Sequence, residues 1–159
     1  MKTLLLMRHA KSSWDDDVAD HDRPLNARGE RSAPQMAALL VGEKLQPDLI
    51  LSSTALRARS TALSVAEAFA WKPEVRLMRS LYMADPAGIL AEIASTPAAV
   101  GCLLVVGHNP GMEDLVSDLS LMRQAMPTAA VARFGVRAWS ELGSTRPELV
   151  HVWRPREVD

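Results

Sequence analysis

Residues 103–111, with the sequence LLVVGHNPG, decide how this chain folds. The first four side chains form a continuous apolar run, which is typical of a strand that is covered on both faces of a sheet. A glycine and an Asn-Pro-Gly turn then end the strand, and helical periodicity over Met112–Leu121 predicts a helix. A buried strand that leads through a tight turn into a helix indicates an α/β fold.

The same alternation extends outward from this stretch in both directions. Further strands are predicted at Thr3–Met7, Asp48–Leu51, Val75–Met78, Ala129–Phe134 and Leu149–Trp153, and further helices at Asn26–Lys44, Ala55–Phe69 and Pro86–Ile93. Pro34 is expected to kink or restart the first helix, because an interior proline removes a hydrogen bond and clashes with the preceding turn. The pattern predicts one domain over residues 1–159, a three-layer α/β/α sandwich with a mostly parallel central sheet.

Composition excludes several classes of function. The chain has 18 basic and 19 acidic residues and a net charge of −1, so it offers no broad positive surface for nucleic acid or an anionic membrane. Its apolar runs fall short of the roughly 20 residues that span a bilayer, and no cleavage site follows the short apolar N-terminus. The single cysteine, Cys102, excludes an internal disulfide framework and favours a reducing compartment. A cytoplasmic protein is therefore expected.

Chemically useful side chains follow three of the predicted strands. Arg8 and His9 come after the first, Arg57 opens the helix after the second, and His108 comes after the central strand. Ligands of such sheets bind beyond the carboxyl ends of the strands, so these four side chains are predicted to meet at one edge. Two guanidinium groups suit the oxygens of a phosphoryl group, and the helix N-terminus near Arg57 also favours an anion.

This set of side chains predicts phosphoryl transfer. Neighbouring positive charge lowers the pKa of His9, so that its imidazole is neutral near pH 7 and can attack phosphorus. His108 can donate a hydrogen bond to the phosphoryl oxygens as charge shifts in the transition state. The expected reaction is transfer of the phosphoryl group to His9, followed by hydrolysis of the phosphohistidine.

Three motifs in this order resemble those of the histidine phosphatase superfamily, whose fold is also called phosphoglycerate-mutase-like. They are LMRHAKS at 6–12, SSTALRARST at 52–61 and VGHNPG at 106–111. The short chain, the GHNPG turn and the sequence DRPLNARG at 22–29 resemble the SixA-type phosphohistidine phosphatase branch.

The resemblance implies a role for each of the four side chains. His9 would be the phosphorylated nucleophile, and Arg8, Arg57 and His108 would form the phosphate pocket. No metal and no organic cofactor is implied, and the pocket would hold phosphate or another small anion.

One departure from the family pattern bears on the substrate. Many members carry a glutamate that protonates the leaving group, in a Leu-x-Glu pattern, where this chain has LYM at 81–83. An alkoxide leaving group needs a proton, whereas the imidazole of a phosphohistidine leaves more easily, so P–N substrates are favoured over P–O substrates. Asp22, Asp85 and Glu113 are the candidates for a substitute acid, and Asp22 is preferred.

Three functions remain open. The first is hydrolysis of phosphohistidine on a phosphorylated protein, such as a histidine phosphotransfer domain. The second is a phosphomonoesterase for a small phosphorylated metabolite, which would use the same nucleophile. The third is a noncatalytic phosphoprotein-binding module, which would need the arginines but not His9. A mutase is the least attractive reading, since the short chain offers little to exclude water.

Other patterns have less specific interpretations. The acidic segment at 15–17, with Asp20, His21 and Asp22, could bind a metal, but it lacks EF-hand spacing and is predicted to be a solvated loop in which His21 is exposed. A cysteine phosphatase would need an arginine where the chain has His108, so Cys102 is predicted to be structural. The four tryptophans are predicted to be packing residues.

Overall fold

A computed structural model describes residues 1–15 and 17–155. Within these ranges the strands are β1 (Lys2–Arg8), β2 (Leu49–Ser53), β3 (Glu74–Met78), β4 (Cys102–Gly107), β5 (Val131–Val136) and β6 (Glu148–Trp153). The α-helices are α1 (Ala27–Gly42), α2 (Leu56–Ala68), α3 (Pro86–Ala94) and α4 (Gly111–Ser120). Single 3₁₀ turns lie at Asp20–Asp22, Arg79–Leu81 and Trp139–Glu141. Every predicted strand and helix is present, with small shifts at its ends.

The six strands form one sheet in the order β3-β2-β4-β1-β5-β6. The first four in this order are parallel to one another, as predicted, whereas β5 and β6 are antiparallel to their neighbours. No α-helix lies between β5 and β6, and a parallel pairing would have needed such a crossover. The two central strands pair so that Arg8 lies opposite Gly107, which brings the ends of β1 and β4 side by side.

The three layers follow from the side chains of the buried strands, which point alternately to the two faces of the sheet. Leu5 and Met7 of β1 pack into a core with α1 and α2, while Leu4 and Leu6 pack into a second core with α3 and α4. All four side chains are fully buried. Because helices cover both faces, the strand can be apolar throughout, and the predicted three-layer α/β/α sandwich is confirmed.

Helix α1 continues through Pro34, so the expected restart was wrong. The Asn26 side chain caps the helix by accepting a hydrogen bond from the Gly29 N–H. Pro34 cannot donate to the Glu30 carbonyl four residues earlier, but both residues are exposed and water can bond that carbonyl. At 16 residues α1 is the longest α-helix in the described ranges, and none of these helices is long and apolar enough to cross a membrane.

Gly111 allows the turn after β4 to pack closely against the segment before α3. A Cβ on Gly111 would lie 1.9 Å from the backbone oxygen of Ala84, so Gly111→Ala forces two backbone segments apart. We expect this substitution to lower the free energy of unfolding by about 3 kcal/mol in urea denaturation. Gly143→Ala is the matched control, because nothing lies within 4 Å of the added atom, and a change under about 0.5 kcal/mol is expected. Equal stability of the two variants would contradict the close approach.

Candidate active site

The ends of β1 and β4 bring two histidines together. His9 follows β1, His108 follows β4, and their ring centroids are 5.1 Å apart. Arg57, in the first turn of α2, and Arg8 line the same cavity of about 250 Å³. His9, Arg57 and His108 are each less than a tenth exposed. The sequence-based prediction that these four side chains share one edge of the sheet is therefore confirmed.

His9 is held as a neutral imidazole with one defined tautomer. Its Nδ1 lies 2.7 Å from the carbonyl oxygen of Ala10, which can only accept, so Nδ1 carries the proton and Nε2 keeps its lone pair. Burial first, together with the charges of His108, Arg57 and Arg8, lowers the pKa of His9 to about 3, against the hydrogen bond to Ala10, which raises it. The predicted direction was right, but burial and not neighbouring charge is its main cause.

His108 is fixed against the end of β2. Its Nε2 lies 2.8 Å from the Oγ of Ser53, a fully buried residue. Burial first, and then the charge of Arg57, lower the pKa of His108 to about 4. Its Nδ1 is buried and has no hydrogen-bond partner among the described residues, so it could bond an entering oxygen.

The two arginines are anchored by backbone carbonyl groups. Arg57 donates through Nη1 to the Asp20 carbonyl oxygen at 2.7 Å, and Arg8 donates through Nη1 to the Met126 carbonyl oxygen at 3.3 Å. The Nε of each arginine is buried without a hydrogen-bond partner in the described ranges. These two N–H groups are donors that an anion in the cavity could use.

Asp20 lies in the cavity wall as a bound carboxylate. Its Oδ2 accepts from Tyr82 Oη at 2.5 Å and from Arg57 Nη2 at 3.0 Å, while its Oδ1 accepts from Arg23 Nε at 3.1 Å. The Tyr82 hydrogen bond, followed by the Arg57 and Arg23 contacts, holds the pKa of Asp20 well below its usual range, against partial burial. The same hydrogen bond raises the pKa of Tyr82. Asp20 is therefore ionised and cannot supply a proton near neutral pH.

The loop that carries Asp20 is held together near its two ends by a β-bridge and by a stacked pair of side chains. Ser12 and Leu25 form an isolated antiparallel bridge. Arg23 is 7% exposed, donates to the Ser12 Oγ at 2.8 Å, and lies with its Cζ 3.5 Å from the ring centroid of Trp14. This arrangement joins Trp14 and Arg23 to the cavity lining.

The three candidate acids lie outside the residues that line this cavity. Asp22 has a 70% exposed side chain, 3.6 Å from His21 Nδ1. Asp85 caps α3 by accepting from the Gly88 N–H, and Glu113 accepts from the Asn109 amide at 3.0 Å. The lining holds Met83 instead, whose Sδ lies 4.0 Å from Arg57 Nη2.

Several expectations for the loop and the aromatic residues change. His21 is only partly exposed, because its Nε2 lies 2.7 Å from Thr54 Oγ1 and its ring packs edge-on against Tyr82. Trp139 and Trp153 are buried as predicted, but Trp14 and Trp71 are mostly exposed, so the assignment of these two residues to packing was wrong.

Asp16 of the acidic segment lies outside the described residues. Within the ranges 1–15 and 17–155, no group of three or more acidic, histidine or cysteine side chains could hold a metal.

The sequence alone did not identify Asp20, Arg23 and Trp14 as cavity residues, nor Tyr82, which bonds Asp20 from outside the lining. Tyr82 is 62 positions from Asp20, and no periodic pattern connects a loop turn to a distant 3₁₀ turn. The three-residue spacing of Asp20 and Arg23, an acid and a base one turn apart, was the available signal.

Comparison with known proteins gives the family. The profile of the histidine phosphatase superfamily (branch 1) matches residues 4–81. An uncharacterised protein of Mycobacterium tuberculosis is 43% identical over 162 residues, covering 94% of this chain and all of that protein. The phosphohistidine phosphatase SixA of Escherichia coli is 28% identical over 118 residues, or 73% of each chain.

Solved structures agree with this family. The structure of a proposed phosphohistidine phosphatase SixA from Nakamurella multipartita superimposes with a TM-score of 0.87, at 30% identity, over 97% of this chain and 96% of that one. The superposition on the Nakamurella structure and the sequence match to the Mycobacterium tuberculosis protein both extend beyond residues 4–81, the region that the family profile covers. The chain therefore belongs to the histidine phosphatase superfamily of phosphatases, in its SixA-type branch.

Proposed function

We propose that this phosphatase hydrolyses phosphohistidine on a protein substrate through a covalent phosphohistidine intermediate on His9. The observation that carries the proposal is the chemistry of the cavity lining. It holds the neutral imidazoles of His9 and His108 and three guanidinium groups, while its carboxylate, Asp20, is ionised and already bound by Tyr82, Arg57 and Arg23. Such a site can bind and accept a phosphoryl group but lacks a carboxylic acid to protonate an alkoxide.

In the first half-reaction the arginines hold the phosphoryl oxygens. The Nε groups of Arg8 and Arg57 are buried donors that have no partner among the described residues. His9 Nε2 forms a bond to phosphorus as the P–N bond of the substrate breaks. The electron pair of the broken bond goes to the nitrogen of the substrate's imidazole. When the other ring nitrogen of that imidazole is already protonated, the leaving group is neutral and needs no acid.

In the second half-reaction water replaces His9. A water oxygen bonds to phosphorus, the bond from His9 Nε2 to phosphorus breaks, and the water proton passes to a phosphate oxygen. The ring centroids of His108 and His9 are 5.1 Å apart. The Nδ1 of His108, which is buried with no hydrogen-bond partner among the described residues, would donate a hydrogen bond to the phosphoryl oxygens as their charge changes. Inorganic phosphate leaves and His9 regains its neutral, singly protonated ring.

The missing acid can be tested by supplying one at Met83. The wild type should release phosphate from a phosphohistidine-carrying phosphotransfer domain about 10²–10⁴-fold faster than from an alkyl phosphate, because only the alkoxide needs a proton. Met83→Glu should raise the alkyl phosphate rate selectively, with little gain on nitrophenyl phosphate, whose leaving group departs unprotonated. Met83→Gln is the matched control, since glutamine has the same shape as glutamate but cannot protonate an alkoxide.

Steady-state phosphate release on the three substrates checks this prediction. If the wild type hydrolyses the alkyl phosphate as fast as the phosphohistidine protein, the phosphomonoesterase function replaces the proposed one. If Met83→Gln gains as much as Met83→Glu, the missing proton is not what limits ester hydrolysis.

A further inference from the structure

We propose that a second, basic cavity beside the catalytic one binds acidic side chains of the phosphoprotein next to its phosphohistidine. This cavity has a volume of about 390 Å³. It is lined by Arg8, Lys11, Arg28, Ser32, Pro127, Thr128, Arg154 and Pro155. The inference rests on the proposed function, and it concerns how the substrate is recognised rather than how the P–N bond is broken.

The two cavities adjoin each other. Arg8, Lys11 and Thr128 line both of them, so a group that occupies the second cavity lies against the same wall as the phosphoryl group. The second cavity is also larger than the catalytic one, at about 390 against 250 Å³. Its size therefore exceeds what a single phosphoryl group needs, and it can receive side chains from a neighbouring surface.

The charge of this cavity is one-sided. Arg8, Lys11, Arg28 and Arg154 are basic, and within the ranges 1–15 and 17–155 no acidic side chain lines the cavity. Lys11 and Arg28 are exposed and form no ion pair within the described ranges, although the whole chain has a net charge of −1. Arg154 is held in the wall by hydrogen bonds to the Ala125 carbonyl and the Gln124 side chain. Such a local concentration of positive charge in a nearly neutral protein favours an anionic partner.

A protein surface fits the cavity better than a small ligand. Lys11 and Arg28 stand at an open, exposed rim, where they can meet carboxylates that a folded partner presents. Trp14 is 74% exposed and lines the catalytic cavity but not the second one, so an aromatic surface and a basic surface both border the site that the phosphohistidine would enter. Aromatic and arginine side chains are enriched where proteins bind one another.

The experiment compares Arg28→Glu with Arg31→Glu. Arg28 lines only the second cavity, whereas Arg31 is exposed on the same helix and lines neither of the two cavities. The substrates are a phosphorylated histidine phosphotransfer domain with an acidic residue beside its phosphohistidine, and phosphoimidazole, which carries no carboxylate. We expect Arg28→Glu to raise KM for the protein about tenfold with kcat unchanged, and to leave phosphoimidazole turnover unchanged.

Charge reversal on the partner gives a second readout. Replacing its acidic residue with lysine should weaken turnover by the wild type and restore it with Arg28→Glu. The wild-type KM for the protein should rise with salt concentration, and this rise should be shallower for Arg28→Glu. Arg31→Glu should behave as the wild type in each assay.

The outcomes separate this inference from the proposed function. If the wild type turns over neither phosphohistidine substrate, the proposed function fails. If it turns over both and the two glutamate variants have the same KM for the protein, the basic cavity is not a recognition site. If Arg28→Glu instead weakens only the hydrolysis of a small bisphosphate, the occupant is the second phosphate of a metabolite and the protein assignment is overturned.

Discussion

His9→Ala should lower phosphate release from a phosphohistidine protein by on the order of 10³-fold or more. The substitution removes the atom that accepts the phosphoryl group, while the binding donors on Arg8 and Arg57 remain. It also leaves a space beside His108 in the cavity. Because imidazole fits the place of the lost side chain and has the same nucleophilic nitrogen, added imidazole should restore part of the rate.

The measurement is rapid quenching with labelled phosphate, followed by analysis of the protein. The wild type should carry a transient phosphoryl group that is stable in base and lost in acid, which is the behaviour of a P–N bond. His151→Ala is the matched control: it also removes a histidine, but from an exposed position on β6, and the rate should not change. An unchanged rate in His9→Ala, or label on that variant at another residue, would exclude His9 as the nucleophile.

The core of the site was predictable because the topology of an α/β sheet decides where strand ends lie. Arg8, His9 and His108 follow parallel neighbours whose register places Arg8 opposite Gly107. Arg57 follows the next strand by one helical turn. Periodicity and turn residues identify each of these elements, so the four side chains could be placed at one edge without any knowledge of their contacts.

The cavity wall was not predictable in the same way. Asp20 and Tyr82 meet through a loop and a distant 3₁₀ turn, and neither has a periodic pattern. The sequence-based preference for Asp22 among the candidate acids, which did not include Asp20, shows the consequence, since the orientation of a single turn decides which carboxylate lines the cavity. Asp22 as an acid stays a prediction, and its side chain is 70% exposed and is not part of the cavity lining.

Burial was the second property that the sequence could not supply. Neighbouring charge alone was expected to lower the pKa of His9, whereas exclusion of water is the larger cause for both His9 and His108. How much water reaches a side chain depends on the whole packed wall, including the loop that Trp14 and Arg23 hold in place. This difference has a measurable consequence for stability.

Between pH 7 and pH 5 the free energy of unfolding should fall by about 2 kcal/mol for each of these two histidines. Both have pKa values lowered in the fold, to about 3 for His9 and about 4 for His108, from an ordinary value of 6.5. Below pH 6.5 the unfolded chain therefore binds protons that the folded chain does not. The stability is complete above pH 6.5 and is lost as the pH falls toward the folded-state values.

Urea denaturation at several pH values between 7 and 5 measures this loss. His9→Gln and His108→Gln should each remove about 2 kcal/mol of the pH dependence, since glutamine takes up no proton in either state. Asp20 does not contribute in this window, because a lowered carboxyl pKa affects stability only near and below its ordinary value of 3.8. A stability that stays flat from pH 7 to pH 5, or an unchanged slope in both variants, would contradict buried neutral imidazoles.

The same burial links this stability loss to catalysis. At pH 6.5 an exposed histidine with an ordinary pKa would be half protonated, and the protonated half would lack the nucleophilic lone pair. His9 stays neutral from pH 7 to pH 5. A variant that opens the cavity to water, such as Trp14→Ala with its lost stacking on Arg23, should raise the pKa of His9 toward its ordinary value. Its stability should then depend less on pH, and its phosphoryl transfer to His9 should depend more on pH. If exclusion of water from His9 causes both effects, the pH dependence of stability and the pH dependence of phosphoryl transfer must change in opposite directions.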